Sequence, residues 1–234
     1  MHAPRDSESR LDERLETLYR RRAAGIRPGL ETVAAVLDEL DRPERRFAAV
    51  HIAGTNGKGS TAAMIESMVR ACGYRTGLFT SPHLVRFHER FRLDGRLISD
   101  ARLSESIEAA EAADAAQAAK PGRRPATFFE MSTAIAFEAF ARSGVQFGIV
   151  ETGLGGRWDA TNVLRPVLSV LTSIGMDHAA ALGDTLEKIA AEKFEIVKEG
   201  VPVVSADYPD SLTEALAEKT RRCGSAWARA SERV

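Results

Sequence analysis

Short apolar runs alternate along the chain with longer stretches in which apolar residues recur every three or four positions. The runs at 47–53, 76–80, 146–150, 167–173 and 201–206, with a further one at 226–230, predict β-strands. The periodic stretches at 60–72, 103–119, 128–142, 185–198 and 211–223 predict helices, and two more at 10–22 and 30–40 precede the first strand. Strands separated in this way by helices predict an α/β fold, a mainly parallel sheet with helices on both faces. One stretch, 109–119, is mostly alanine with interspersed acids and runs into Lys120-Pro-Gly-Arg-Arg-Pro125. Alanine favours helix and the Pro-Gly pair ends it, so this segment is expected to be a peripheral helix and loop without chemistry. No internal repeat is visible.

Composition narrows the picture by exclusion. With 44% hydrophobic and 28% charged residues over 234 positions, the chain has an ordinary globular balance and enough length for a sizeable core. A net charge of −1 provides no field toward nucleic acid or an anionic membrane. Cys72 and Cys223 form no disulfide framework and no metal-ligand spacing, and both are expected to be buried thiols. The charged N-terminus lacks the apolar run of a signal peptide, and no stretch approaches the ~20 apolar residues of a membrane span. The expectation is a cytoplasmic protein acting on small molecules, a monomer, with no nucleic acid or membrane partner.

The most specific chemistry lies at the junction of the first strand and the following helix. Gly54-Thr55-Asn56-Gly57-Lys58-Gly59-Ser60-Thr61 places three glycines, a lysine and hydroxyls where a chain turns from strand to helix. The glycines let backbone N–H groups turn inward at an anion, and Lys58 adds a point charge for the β- and γ-phosphates. Ser60 is expected to begin the helix, where the dipole favours negative charge and its hydroxyl reaches Mg²⁺. The general phosphate-loop pattern has Ser or Thr directly after the lysine, whereas Gly59 intervenes here.

Two further positions stand out. The apolar run at 147–150 ends on Glu151 and is followed by Gly153, Gly155 and Gly156. In an open α/β sheet ligands gather beyond the carboxyl ends of strands, so Glu151 and Ser60 are natural oxygen ligands for a hard Mg²⁺ ion. His178, just past another strand, is expected at the same edge and is a less usual ligand. Winding 185–198 as one helix puts Leu186, Ile189, Ala190, Ile196 and Val197 on one stripe with Lys193 in its middle, and turns Lys188, Glu192 and Glu195 away. A buried lysine must shed its charge or find a partner.

The phosphate loop resembles that of Mur-type ligases in its folate-enzyme form. The resemblance continues in order through Thr80-Ser-Pro-His-Leu84, Thr127-Phe-Phe-Glu130, Glu151-Thr-Gly-Leu-Gly-Gly-Arg157, Asp159-Ala-Thr-Asn162, Met176-Asp-His178, Leu182-Gly-Asp-Thr-Leu186 and Glu192-Lys193. It implies the folylpolyglutamate synthase and dihydrofolate synthase branch: an ATP-dependent ligase joining L-glutamate to a folate or dihydropteroate carboxylate through an acyl phosphate. It also implies two Mg²⁺ ions served by Ser60, Ser81, Glu151 and His178, and a carbamate formed from CO₂ on Lys193. Phe194-Glu195 stand where the family usually has Ala-Gly, so Phe194 is placed to crowd that carbamate. Ile26, Arg27, Thr127, Phe128, Phe129, Glu130, Trp158, Asp159 and Ala160 are implied on the pterin-bearing substrate. Aromatic rings suit a flat heterocycle, although one of the two phenylalanines is expected in the core and Glu130 also suits a helix N-terminus. His83, Arg86 and His88 lie in a loop of unassigned role. By the same resemblance, 1–234 is an incomplete ATP-binding domain with a helical lead-in at 1–45, and the adenine contacts and a glutamate-holding domain lie outside it. A cell-wall Mur ligase and a non-catalytic nucleotide-binding module are the alternative readings.

Overall fold

The computed structural model describes residues 3–25 and 27–233. Two helices, α1 (Ala3–Arg20) and α2 (Glu31–Glu39), lead into the strand β1 (Ala48–Ala53), followed by α3 (Lys58–Ala71) and β2 (Thr76–Phe79). A hairpin of β3 (Phe91–Leu93) and β4 (Arg96–Leu97) precedes α4 (Asp100–Ala118), α5 (Phe128–Arg142) and β5 (Phe147–Glu151). Then come β6 (Leu168–Leu171), a single helical turn α6 (Ala179–Leu182), α7 (Leu186–Lys193), β7 (Val203–Ser205), α8 (Asp210–Arg222) and β8 (Trp227–Arg229).

The eight strands form one sheet in the order β4-β3-β2-β5-β1-β6-β7-β8. All neighbours are parallel except at the β2–β3 and β3–β4 pairs. From β1 the chain crosses to β2 on one side, and after β5 it crosses back to β6 on the other. The connections therefore diverge around β1, which opens a crevice at the carboxyl ends of β1, β2, β5 and β6.

Strand alternation assigns the helices to faces. Ala49 and Ala53 of β1 point to one face, where the first joins a cluster with α1, α2, α4 and α5 and the second a cluster with α7 and α8. Val50 and Ile52 point to the other, packing with Ala62 of α3, Leu78, Ile149 and Val170. Among the described helices α3 alone serves that face, and its Met64 and Met68 remain exposed. Helices on both faces agree with expectation.

Four details depart from the sequence pattern. The hairpin at 91–97 was not anticipated, because its strands are two and three residues long. Its signal is Asp94-Gly95, both at positive φ, a turn pair that closes two-residue hairpins. The helix expected over 185–198 stops at Lys193 and tightens into a 3₁₀ turn at Phe194–Ile196. The tighter turn carries Phe194, Ile196 and Val197 together into one cluster with α8. The phosphate-loop helix starts at Lys58, not Ser60, because Gly57 already takes the cap position in a left-handed conformation. Cys72 is exposed and Cys223 half-buried, so neither is the buried thiol expected.

Candidate functional site

The phosphate loop leaves β1 at the centre of the crevice. Gly54 has φ +155°, and a Cβ there would collide with the hydroxyl of Thr172. The chain following β6 holds the loop from the side. Thr55 N–H donates to Ser173 O at 2.7 Å, and the Thr55 hydroxyl donates to Gly175 O while accepting from Gly175 N–H, each at 3.1 Å. No side chain caps α3, and its first backbone bond runs from Thr61 N–H to Gly57 O at 2.9 Å. The N–H groups of Lys58, Gly59 and Ser60 have no backbone acceptor among the described residues, which is the arrangement an anion fills. Lys58 Nζ rests on Thr55 O at 3.1 Å, beside the hollow.

Glu151 ends the adjacent strand and is 4% exposed. One oxygen, Oε2, accepts from Ser81 N–H at 3.1 Å, while Oε1 has no partner among the described residues. A Cβ on Gly59 would lie 3.5 Å from the same Oε2, so the carboxylate borders the first turn of α3. Burial raises its pKa, against the Ser81 hydrogen bond and the Lys58 charge. A buried carboxylate with one oxygen unpartnered, beside Ser81 and the first turn of α3, fits a hard divalent cation. His178 does not join it: the residue has φ +48°, its side chain is 59% exposed, and its Nε2 lies 3.6 Å from Asp177. Among the described residues no three His, Cys, Asp or Glu side chains group closely enough to hold a metal.

Lys193 is 3% exposed and donates from Nζ to Gly54 O at 2.8 Å. Burial first, then the charge of Lys58, lowers its pKa to about 8. It is thus a buried amine within reach of its neutral form, at the root of the phosphate loop. Phe194 turns its ring into the α7–α8 cluster, 6.0 Å from that of Tyr208.

Next to this corner lies a cavity of about 460 Å³ whose lining includes Arg27, Ser81, Thr127, Phe128, Phe129, Glu130, Trp158, Asp159 and Ala160. Every substrate residue implied by resemblance is therefore gathered in one place except Ile26, which lies outside the described residues. Both phenylalanines line the cavity while packing on the core, Phe128 stacked on Tyr19 at 5.7 Å and Phe129 against Phe79 at 6.0 Å. Thr127 and Glu130 form a capping box for α5, and the Glu130 carboxylate also takes both ends of the Arg124 guanidinium at 2.8 Å. Its oxygens are committed to local structure. Trp158 is 52% exposed at the rim.

Asp159 is buried and positioned by four hydrogen bonds. It accepts from the N–H groups of Gly153 at 2.7 Å and Leu154 at 2.8 Å, and from both the N–H and the hydroxyl of Thr161. Thr161 in turn meets His51 Nε2 at 2.8 Å. His51 is fully buried in β1, and burial followed by the Lys198 charge lowers its pKa to about 3, so it is neutral. Sequence reasoning overlooked His51, whose signal was a lone polar residue inside an apolar strand. It also overlooked Arg22 and Arg90, which line the cavity and carry no local signal. Of the loop histidines, His83 accepts from Arg90 Nε at 2.8 Å and His88 meets Asp100 at 2.8 Å, while Arg86 is exposed.

An uncapped helix behind a glycine loop, at the point where a parallel sheet's connections diverge, defines a nucleotide-binding α/β domain. Residues 52–226 match the family described as "Mur ligase middle domain", and the chain belongs to that family. It is similar to a dihydrofolate synthase/folylpolyglutamate synthase of Bacillus subtilis, 46% identical over 190 residues, covering 80% of this chain and 44% of that protein. Among solved structures it is similar to a Mycobacterium tuberculosis folylpolyglutamate synthase complexed with ADP, with a TM-score of 0.89 and 36% identity over 95% of this chain and 50% of that one. An FPGS–AMPPCP–folate complex matches with a TM-score of 0.86 and 34% identity, over 94% of this chain and 53% of that one. The chain thus spans about half the length of the relatives it matches.

Proposed function

We infer that this chain carries the ATP site and the acceptor site of a ligase that adds L-glutamate to a folate or dihydropteroate carboxylate. One observation carries the reading: an aromatic-lined cavity opens at the same strand edge as an uncapped phosphate loop, and the two meet at Ser81 and Glu151. Relatives described as folylpolyglutamate or dihydrofolate synthases, and a related structure holding an ATP analogue and folate, support it. No helix among the described residues is long and apolar enough to cross a membrane.

In this reading the loop residues 54–61 cradle the triphosphate, and Lys58 draws charge from the β- and γ-phosphates. The acceptor lies between Phe128, Phe129 and Trp158, with Asp159 holding the shape of the adjoining turn, and its carboxylate reaches the γ-phosphate. An acceptor oxygen forms the new P–O bond as the bond to ADP breaks, giving an acyl phosphate. The glutamate amine then attacks that carbonyl, phosphate leaves, and the amine loses a proton as the amide forms. The work is positioning and charge stabilisation, with no side chain as nucleophile. Ser60 and Glu151 would hold one Mg²⁺, which screens the phosphate charge. A second would involve Ser81, His178 and Lys193, the last as a carbamate, and requires His178 to turn inward from its exposed position.

Calorimetry with Mg-ATP tests the reading. Lys58→Ala should weaken binding by about 1.5–3 kcal/mol, as for a hydrogen bond to a charged group. Glu151→Gln should weaken binding only when Mg²⁺ is present. Equal losses with and without the metal would make Glu151 structural, and unchanged affinity in Lys58→Ala would remove the loop from the site.

A further inference from the structure

Five buried carboxylates in this molecule are each accompanied by an arginine. Glu130 is held by Arg124, Asp114 by Arg21, Glu66 by Arg70, Glu138 by Arg142 and Glu44 by Arg42. Arg90 breaks the pattern from the other side. It is 5% exposed, the one buried arginine among the described residues, and no carboxylate there lies within ion-pairing distance of it. Its Nε donates to His83 Nδ1 at 2.8 Å, while neither Nη group has a partner among the described residues. The residue is buried, but its Nη groups open on the cavity without a protein acceptor, which leaves them available to an anion that enters it.

The surroundings say where that partner sits. The guanidinium lies 5.3 Å from the Phe128 ring and 5.9 Å from the Phe87 ring, and it lines the cavity together with Ser81 and Phe128. The Arg90 carbonyl accepts from Thr80 N–H at 3.1 Å, which ties it to the residue before Ser81. The free edge therefore lies between the aromatic part of the cavity and the corner where Ser81 N–H holds Glu151. His83 fixes the plane: burial, Arg90 and Arg22 lower its pKa, so it stays a neutral acceptor for Nε and leaves the Nη fork open. A planar fork anchored at one end and open at the other matches a carboxylate through two parallel hydrogen bonds. A second unpaired guanidinium, Arg22, lies at the same cavity over the rings of Tyr19 at 4.5 Å and Phe128 at 4.6 Å.

We propose that Arg90, set between Phe128 and the Ser81–Glu151 corner, is the positioning residue for the acceptor's carboxylate, with the exposed Arg22 a second and looser contact for the same anionic end. The proposal rests on the acceptor reading given above. It makes the cavity selective for flat aromatic acids over neutral heterocycles of the same shape.

The test compares pteroate with the same pterin–aniline lacking its carboxylate, both titrated into the 234-residue protein. The wild type should bind pteroate about tenfold or more tightly than the decarboxylated compound. Arg90→Gln should bring pteroate down to the affinity of that compound, leaving the compound itself and Mg-ATP unchanged. Arg90→Lys should restore part of the preference, and Arg22→Gln should reduce it by a smaller factor. Equal binding of both compounds by the wild type, or equal weakening of both by Arg90→Gln, would overturn the proposal and make Arg90 a stacking brace, with the acceptor reading intact. Should Arg90→Gln fail to fold, the wild-type pair still decides whether a carboxylate is sensed, and Arg90→Lys decides whether Arg90 senses it. Binding of neither compound would overturn the acceptor reading itself.

Discussion

Eight consecutive residues, Gly54 to Thr61, furnish the phosphate loop, whereas the cavity beside it gathers side chains from Arg22 through Glu192. In the loop the groups left open are backbone N–H donors, and side chains mostly serve to shape the turn. In the cavity the backbone delivers side chains, and in the proposed reading their rings and guanidinium groups do the recognising. One sheet edge thus joins a site defined by main-chain conformation to a site defined by side-chain convergence. The first tolerates little change at its glycines, and the second spreads its affinity over many modest contacts.

The largest effect is expected where conformation is everything. Gly54→Ala introduces a Cβ against Thr172 at a backbone angle suited to glycine, and should cost about 2–4 kcal/mol of stability together with nucleotide binding. Denaturant unfolding and calorimetry would show it, and a stable variant that binds normally would break the distinction between the two regions. Next comes the buried amine at the loop's root. An unfolded lysine titrates near 10.5, whereas Lys193 folded titrates near 8, so between those values the unfolded chain binds the extra proton. Stability should accordingly rise with pH across that window, by about 3 kcal/mol from this one group, and be fully penalised below it. Lys193→Met should flatten the rise, and an unaltered pH profile would mean that the folded amine stays charged. The smallest effect belongs to the cavity rim: Trp158→Ala should weaken acceptor binding by about 0.5–1.5 kcal/mol and leave nucleotide binding alone. A loss as large as that in the loop would show that the cavity, too, hangs on one residue.

The same contrast decides how much was legible in the sequence. The loop could be read because its glycines, lysine and hydroxyls are contiguous and bracketed by a clear strand and helix. The burial of Lys193 could be read because its neighbours repeat at helical spacing, even though the helix proved shorter than that spacing implied. Arg90 could not be found that way. It stands in a charged stretch, His88-Glu-Arg-Phe-Arg92, and its burial follows from aromatic partners as distant in sequence as Phe128. His51 and Thr161 meet across 110 positions, so no window along the chain contains their contact. His178 shows a related limit: a position past a strand's end fixes the edge of the sheet, not the direction of the side chain, which here is 59% exposed.

The anchoring of the phosphate loop also has a bearing on the order of events in folding. Its restraints reach far along the chain: Thr55 to Gly175 across 120 positions, Asn56 to Ser173 across 117, and Gly54 to Lys193 across 139. Closing such long loops is slow compared with forming a helix or a hairpin. The glycines allow the loop's shape, but β6 and α7 must dock before that shape is held. During refolding, helical signal should therefore recover well before the capacity to capture a nucleotide, which arrives only with the last long-range contacts.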